Sequence, residues 1–289
     1  NSTIKQPDTI DPSKLARSIW QDIWFVTKAT PEKCLYTFLE IFLFKYLSDL
    51  KILDVDDEGV QISFDHIYSL GPKKAFKSYS KYVKNFMSSK FPKSDEDSTG
   101  IMSGSLLQVS VNDHSIIFYN ILTKFRDFGK LENIDSEFKS KVFEEFTKRS
   151  ISTVKKDWGQ FLTPRNVIDS IIEISGIENL DDGSKICDPA CGVGGFILEP
   201  MRTTSEGVKS FFNINKGKLI PKHNFIGFDK GFEKEQKLTI VLAKANMLMF
   251  LSDLLKVNPS LTHQFSDVFN NTFKLITNSV LGTLNITEN

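Results

Sequence analysis

Asp188 closes a short run, Lys185–Asp188, and is followed by Pro189, Ala190, Cys191, Gly192, Val193, Gly194 and Gly195. A run, a glycine loop and a helix-opening residue in that order read as strand, tight turn and helix start. Glycine at 192 and 194 keeps Cβ atoms out of the way of a ligand that approaches the backbone. A helix start offers N–H groups to an anionic group such as a carboxylate, and an acid at the strand's end accepts from an amine. The pairing suits a ligand with both an ammonium and a carboxylate, such as the methionine end of S-adenosylmethionine. A second acid, Asp229, stands 41 residues after Asp188 at the end of another short run, 222–229, that reads as a strand. There it can accept from both hydroxyls of a ribose, as the acid after the second strand does in dinucleotide folds. The usual interval is about 20 residues, so a loop inserted over 203–221 is expected. The competing reading makes Asp229 a helix cap ahead of Gly231.

Upstream lies Gly159-Gln160-Phe161-Leu162-Thr163-Pro164, whose proline precedes Asp188 by 24 residues. This segment and the Asp188-Pro189-Ala190-Cys191-Gly192-Val193-Gly194-Gly195-Phe196 loop, in this order, resemble the adenine-N6 DNA methyltransferases. Among these the chain looks most like the modification subunit of type I restriction–modification systems. The resemblance runs from about Leu15 to about Asp267, with specific motifs confined to 159–232. Val193 departs from the serine or threonine that the family often has, which leaves backbone contacts untouched.

The resemblance implies S-adenosylmethionine as cofactor. Gln160, Phe161, Leu162, Thr163, Pro164 and Arg165 would fold over it, Thr163 serving also as a helix cap. Asp188, Pro189, Gly192, Val193 and Gly194 would cradle the methionine end, Asp229 would take the ribose, and Asp267, by a looser alignment, would lie near the adenine amino group. DNA, a specificity subunit, a restriction subunit and a second modification subunit are the implied partners. Methylating adenine N6 also requires acceptors that orient the amine and an aromatic that stacks on the flipped base. The family supplies both from an Asn-Pro-Pro-aromatic tetrad after its fourth strand, and this sequence contains none. Asn258-Pro259 is followed by Ser260 and reads as a turn, so no catalytic residue is assigned. The chain is expected to be a fragment, inactive alone, that stops before the catalytic strand and leaves a sheet edge open. Two other readings stand beside this one: a methyltransferase acting on protein or RNA, and a non-catalytic scaffold that assembles through its helices.

The elements that must position these residues fall into two textures. The first 150 residues read as a helical domain. Asp11-Pro12 opens a helix with Leu15, Ile19 and Ile23 on one stripe, and Thr30-Pro31 opens another with Leu35, Phe38, Leu39, Phe42, Leu43, Tyr46 and Leu47. Residues 73–90 interleave lysines with aromatics, a face for phosphates or simply a solvated one. A loop over 92–104, a helix over 136–148 and a linker over 149–157 complete that half. Residues 151–289 alternate helix and strand: a helix from 163, a buried strand at 185–188, a helix at 195–201, a strand at 222–229, a long helix at 232–255 and a third strand at 264–268. That is half of a doubly wound, Rossmann-like α/β sheet, incomplete at its carboxyl end, which binds ligands at the carboxyl ends of its strands.

Composition narrows the class. The 36 basic and 36 acidic residues cancel, whereas a protein that grips DNA alone usually has a basic excess, so DNA contact shared with a partner is expected. The apolar run over 35–47 is broken by Glu40 and Lys45, which speaks against a bilayer span. Three cysteines, Cys34, Cys187 and Cys191, are too few for a disulfide framework and fit a reducing cytoplasm. Cys187 and Cys191 lack the further ligands that zinc needs.

Overall fold

A computed structural model describes residues 13–102, 104–132, 163–204, 206–230 and 237–276. The chain divides into two compact units, Asn1–Met87 with Gly104–Lys155, and Ser88–Ser103 with Lys156–Asn289. The sequence suggests a single break near residue 150, with 92–104 a loop of the first half. Residues 88–103 belong instead to the second unit.

The first unit is helical: α1 Ser13–Thr27, α2 Pro31–Asp49, α3 Phe64–Ser69, α4 Gly71–Ser78, a π turn Tyr79–Val83, the start of α5 Lys84–Lys90, and α6 Asn112–Phe128. α1 buries Ala16, Ile19 and Ile23. α2 starts where expected, with Thr30 extended and Pro31 in the first turn, where a missing N–H costs nothing. It is enclosed on nearly every side, and its Phe38 and Phe42 stack against each other and pack on Phe125 of α6. Four buried polar residues of α2 are each matched. Thr37 Oγ1 accepts from Leu106 N at 2.9 Å, and Ser48 Oγ accepts from Phe64 N at 2.7 Å. Glu40 accepts from Tyr79 Oη at 3.1 Å and Lys84 Nζ at 3.0 Å, while Lys45 pairs with Asp49 at 2.6 Å. Along α4 and α5, Phe76, Tyr79, Val83 and Met87 point inward while Lys73, Lys74, Lys77 and Lys81 face solvent.

The second unit holds α7 Arg165–Ser175, β1 Lys185–Asp188, α8 Gly195–Leu198, α9 Pro200–Thr203, β2 Phe212–Asn215, β3 Lys218–Pro221, β4 Asn224–Lys230, α10 Leu238–Phe250, α11 Ser252–Val257, α12 Thr262–Thr272 and β5 Phe273–Ile276. β1, β4 and β5 form a parallel sheet in that order, with Asp188 opposite Gly227 and Asp229 opposite Leu275. Parallel neighbours need crossovers, usually helical. The second crossover, between β4 and β5, includes α10, α11 and α12. The first contains an antiparallel hairpin, β2–β3, so the insertion anticipated as a loop is a paired one, held to α12 by Gln264 bonding Leu219 N at 2.9 Å and Gly217 O at 3.1 Å.

Three strand expectations need correction. Residues 264–268 are helical, inside α12, and the third strand is β5. Phe265 and Phe269, both buried, stand one helical turn apart on the inner face of α12. β1 is a strand, yet none of its residues is buried, because among the described residues it has a neighbour on one side only. The open edge was expected beyond the third strand. Instead, Leu275 N donates to Asp97 Oδ2 at 3.0 Å and Lys274 pairs with Glu96 at 3.1 Å, so the 88–103 excursion covers part of the β5 edge. The long helix expected over 232–255 is two, α10 and α11, parted at Leu251. The start at Asp11-Pro12, the 136–148 helix and the 149–157 linker lie outside the described residues.

Candidate functional site

Asp188 is the last residue of β1 and Asp229 the last but one of β4, so both stand at the carboxyl ends of neighbouring parallel strands, where ligands bind in such sheets. Asp188 Oδ1 accepts from Ala190 N at 3.0 Å, a bond that folds the chain back immediately after the strand. Its Oδ2 is buried with no hydrogen-bond partner. Asp229 Oδ1 accepts from Lys230 N at 2.8 Å. The Thr239 hydroxyl of α10 lies close enough to favour the charged form of Asp229, yet without hydrogen-bond geometry, and is left unmatched. Burial raises the pKa of both acids, and for Asp188 the nearby charge of Asp229 adds to it. The pKa of the Cys191 thiol is raised by burial first, then by the charges of Asp229 and Asp188. Neither acid has an ion pair among the described residues. Among the described residues, two half-buried carboxylates that repel each other are held here without an ion pair, and a ligand with donors at both ends would relieve that.

The loop between Asp188 and α8 is tied at three points. Cys191 N donates to Phe228 O of β4 at 2.8 Å, Gly194 N donates to Cys191 O at 2.8 Å, and Asn246 Nδ2 of α10 donates to Val193 O at 2.9 Å. Gly192 and Gly194 have φ of +53° and +87°, the left-handed region that disfavours side chains. For Gly194 the requirement differs from the one expected. A Cβ there would stand 2.8 Å from the Phe273 ring and 3.1 Å from Leu198, so core packing beneath the loop, not room for a ligand, requires glycine.

Of the upstream segment, Gln160, Phe161 and Leu162 lie outside the described residues. Thr163 and Pro164 are exposed, Arg165 is half-buried, and α7 begins directly after them. Thr163 is not the helix cap: Pro164 holds the cap position, without a side-chain cap bond. α7 is fastened beside the loop, since Ile168 leaves a Cβ at Gly195 only 2.9 Å of room and Asp169 pairs with Arg202 of α9 at 3.0 Å. Asp267 does not join the site's elements at a strand end. It lies in mid-α12, more than half exposed, 3.3 Å from His263. Asn258-Pro259 is a turn, with Asn258 Nδ2 donating to Leu254 O at 2.9 Å. Sequence reasoning missed Thr239 and Asn246. The available signal was an asparagine within a largely apolar stretch, Met247 to Phe250 on one side and Ile240 to Ala243 on the other.

Comparison with known proteins bears on this arrangement. Residues 135–276 match the model of the N-6 DNA Methylase family. The type I restriction enzyme MjaIX methylase subunit of Methanocaldococcus jannaschii is 30% identical over 91 residues, 30% of this chain and 15% of that protein. A Vibrio vulnificus YJ016 chain solved as the "modification subunit of a putative type I restriction enzyme" aligns over 85% of this chain and 55% of its own, at 16% identity and a TM-score of 0.37. This chain thus spans less than two thirds of either relative's length. It is similar to the adenine-N6 DNA methyltransferases, and within them to the modification subunits of type I restriction enzymes, as the Asp188 loop and the Gln160 segment led us to expect.

Proposed function

We propose that this chain is the S-adenosylmethionine-binding portion of a site-specific DNA adenine-N6 methyltransferase of a type I restriction–modification system. The observation that carries the reading is Asp188 Oδ2, a buried acceptor without a partner at the carboxyl end of β1, beside a glycine loop. A buried carboxylate oxygen left unmatched costs free energy, and the cofactor's ammonium would supply the missing donor. Asp229 would accept from the ribose hydroxyls, and residues 160–165 would close over the cofactor. Bound S-adenosylmethionine would supply a methyl group on a positively charged sulfur. The chain's own contribution is to hold and orient it: two carboxylates fix an amine and a ribose, and the strapped loop fixes the backbone between them. DNA, a specificity subunit, a restriction subunit and a second modification subunit are the partners under this reading, and its compartment is the cytoplasm. No described helix is long and apolar enough to cross a membrane.

With no Asn-Pro-Pro-aromatic tetrad in its 289 residues, the chain alone is expected to bind cofactor without methylating DNA. Calorimetry of the full chain with S-adenosylmethionine, its demethylated product and NAD tests the reading. Binding of the first two and not the third is expected. Binding of NAD alone would overturn it, and tritium transfer to DNA by this chain would overturn its inactivity.

A further inference from the structure

α10 buries twelve of its thirteen residues, and all but two of these are apolar. The exceptions are Lys244 and Asn246. Lys244 serves the architecture. Its ammonium bonds Thr99 Oγ1 at 2.6 Å and Asn270 Oδ1 at 2.9 Å, with Asp97 at 3.8 Å, and so anchors the 88–103 excursion. Asn246 is harder to account for by stability. It is 3% exposed, its Nδ2 makes one bond, to Val193 O, and its Oδ1 is buried without a partner. An apolar residue of the same shape would avoid the orphaned oxygen and bury more apolar surface.

What Asn246 gains is control of one peptide. Val193 lies between two left-handed glycines, where the backbone has the most freedom to flip. The other two ties of the loop join backbone to backbone, at Cys191 and Gly194. Asn246 is thus the side chain that fixes which way the Val193 carbonyl points, and with it the path of the loop from Gly192 to Gly194. We infer that Asn246 is a positioning residue for ligand binding at the Asp188 loop, acting through Val193 without touching the ligand. The inference rests on the proposed cofactor reading of that loop.

The test uses the full chain with Asn246→Leu and Asn246→Asp, titrated with S-adenosylmethionine, alongside melting temperatures without ligand. Asn246→Leu removes the donor and is expected to weaken binding about three- to tenfold, the range of one ordinary hydrogen bond, while the melting temperature changes little, because relief of the orphaned Oδ1 offsets the loss of the Val193 carbonyl's partner. Asn246→Asp sets an acceptor against the Val193 carbonyl when ionised and a donor when protonated. Its affinity relative to wild type is therefore expected to recover as pH falls, a dependence that a merely structural role would not produce. Unchanged affinity in Asn246→Leu overturns the inference. So does a lowered melting temperature in both variants with unchanged affinity per folded molecule, or a pH-independent ratio for Asn246→Asp. If wild type binds no S-adenosyl ligand, the cofactor reading itself fails, an outcome visible before either variant is made.

Discussion

Helix α2 and the region between β1 and α10 both bury polar groups, but they treat them differently. In α2, Thr37, Glu40, Lys45 and Ser48 are enclosed and each finds a partner within the helical unit. Among the described residues, the buried side-chain atoms left unmatched are Asp188 Oδ2, His223 Nδ1, Thr239 Oγ1 and Asn246 Oδ1, all in the second unit. Three of the four belong to residues that form, strap or border the two-acid loop. Buried polar groups are ordinarily satisfied, so the helical unit behaves as a finished interior. The α/β unit concentrates its exceptions around the two-acid loop, where under the proposed reading a ligand would complete Asp188. The difference separates residues kept for stability from residues kept for binding.

That separation can be broken by substitution. Glu40→Ala strips Tyr79 of its buried acceptor, frees Lys84 and leaves a cavity. The loss expected is about 3 kcal/mol, the low end for breaking a buried charged pair, since Lys84 is one third exposed. Cofactor affinity per folded molecule should be unchanged. Denaturant unfolding and calorimetry on the same sample check both halves, and a matching fall in affinity would show that the contrast between the units is false.

Asp188→Asn should do the reverse. It removes one charge-assisted bond, so affinity for S-adenosylmethionine should fall roughly tenfold to hundredfold, while the ligand-free protein becomes more stable at neutral pH. The sign follows from the raised pKa of Asp188. An acid harder to ionise in the fold than in the unfolded chain destabilises the fold as pH rises from about 3.9, the ordinary aspartate value, through its raised folded value. Above that the penalty is complete, and asparagine abolishes it. Ligand affinity runs the other way and should be lost as pH falls through the raised value. Melting curves and titrations across pH 4–8 would expose either sign error.

Asp267→Ala should have the smallest effect. The residue is exposed and faces His263 one helical turn away, an arrangement worth a few tenths of a kcal/mol at most. Its affinity is expected to stay within about twofold of wild type. A larger loss would return Asp267 to the site, from which its place in α12 removes it.

How much of this was legible beforehand depends on the range of the interactions involved. Thr30-Pro31, the enclosed stripe of α2 and the strand–loop–helix around Asp188 are local patterns, set by backbone preference and hydrophobic spacing, and the structure agrees with them. The helices α1 and α2, the helical stretch around 73–90 and the parallel pairing of β1 and β4 followed from the same signals, whereas α3 and α6 were not anticipated. Residues 264–268 were misread because Phe265 and Phe269 can serve a short strand or a helix, and only the surface they pack against decides. Thr163 met every compositional rule for a cap, yet Pro164 took the position.

The sequence by itself determined that two acids would end two strands on either side of a glycine loop. Chemical identity and local order suffice for that, since a carboxylate after an apolar run and a glycine before a helix act over a few residues. Only the tertiary structure decided that Gly194 is glycine because of Phe273, 79 positions later. It also decided that Asn246 holds Val193 across 53 positions, and that Asp97 reaches the β5 edge at Leu275 from 178 positions away. Such contacts join segments whose separation along the chain carries no periodicity. They exist only once packing has brought the segments within van der Waals or hydrogen-bond range.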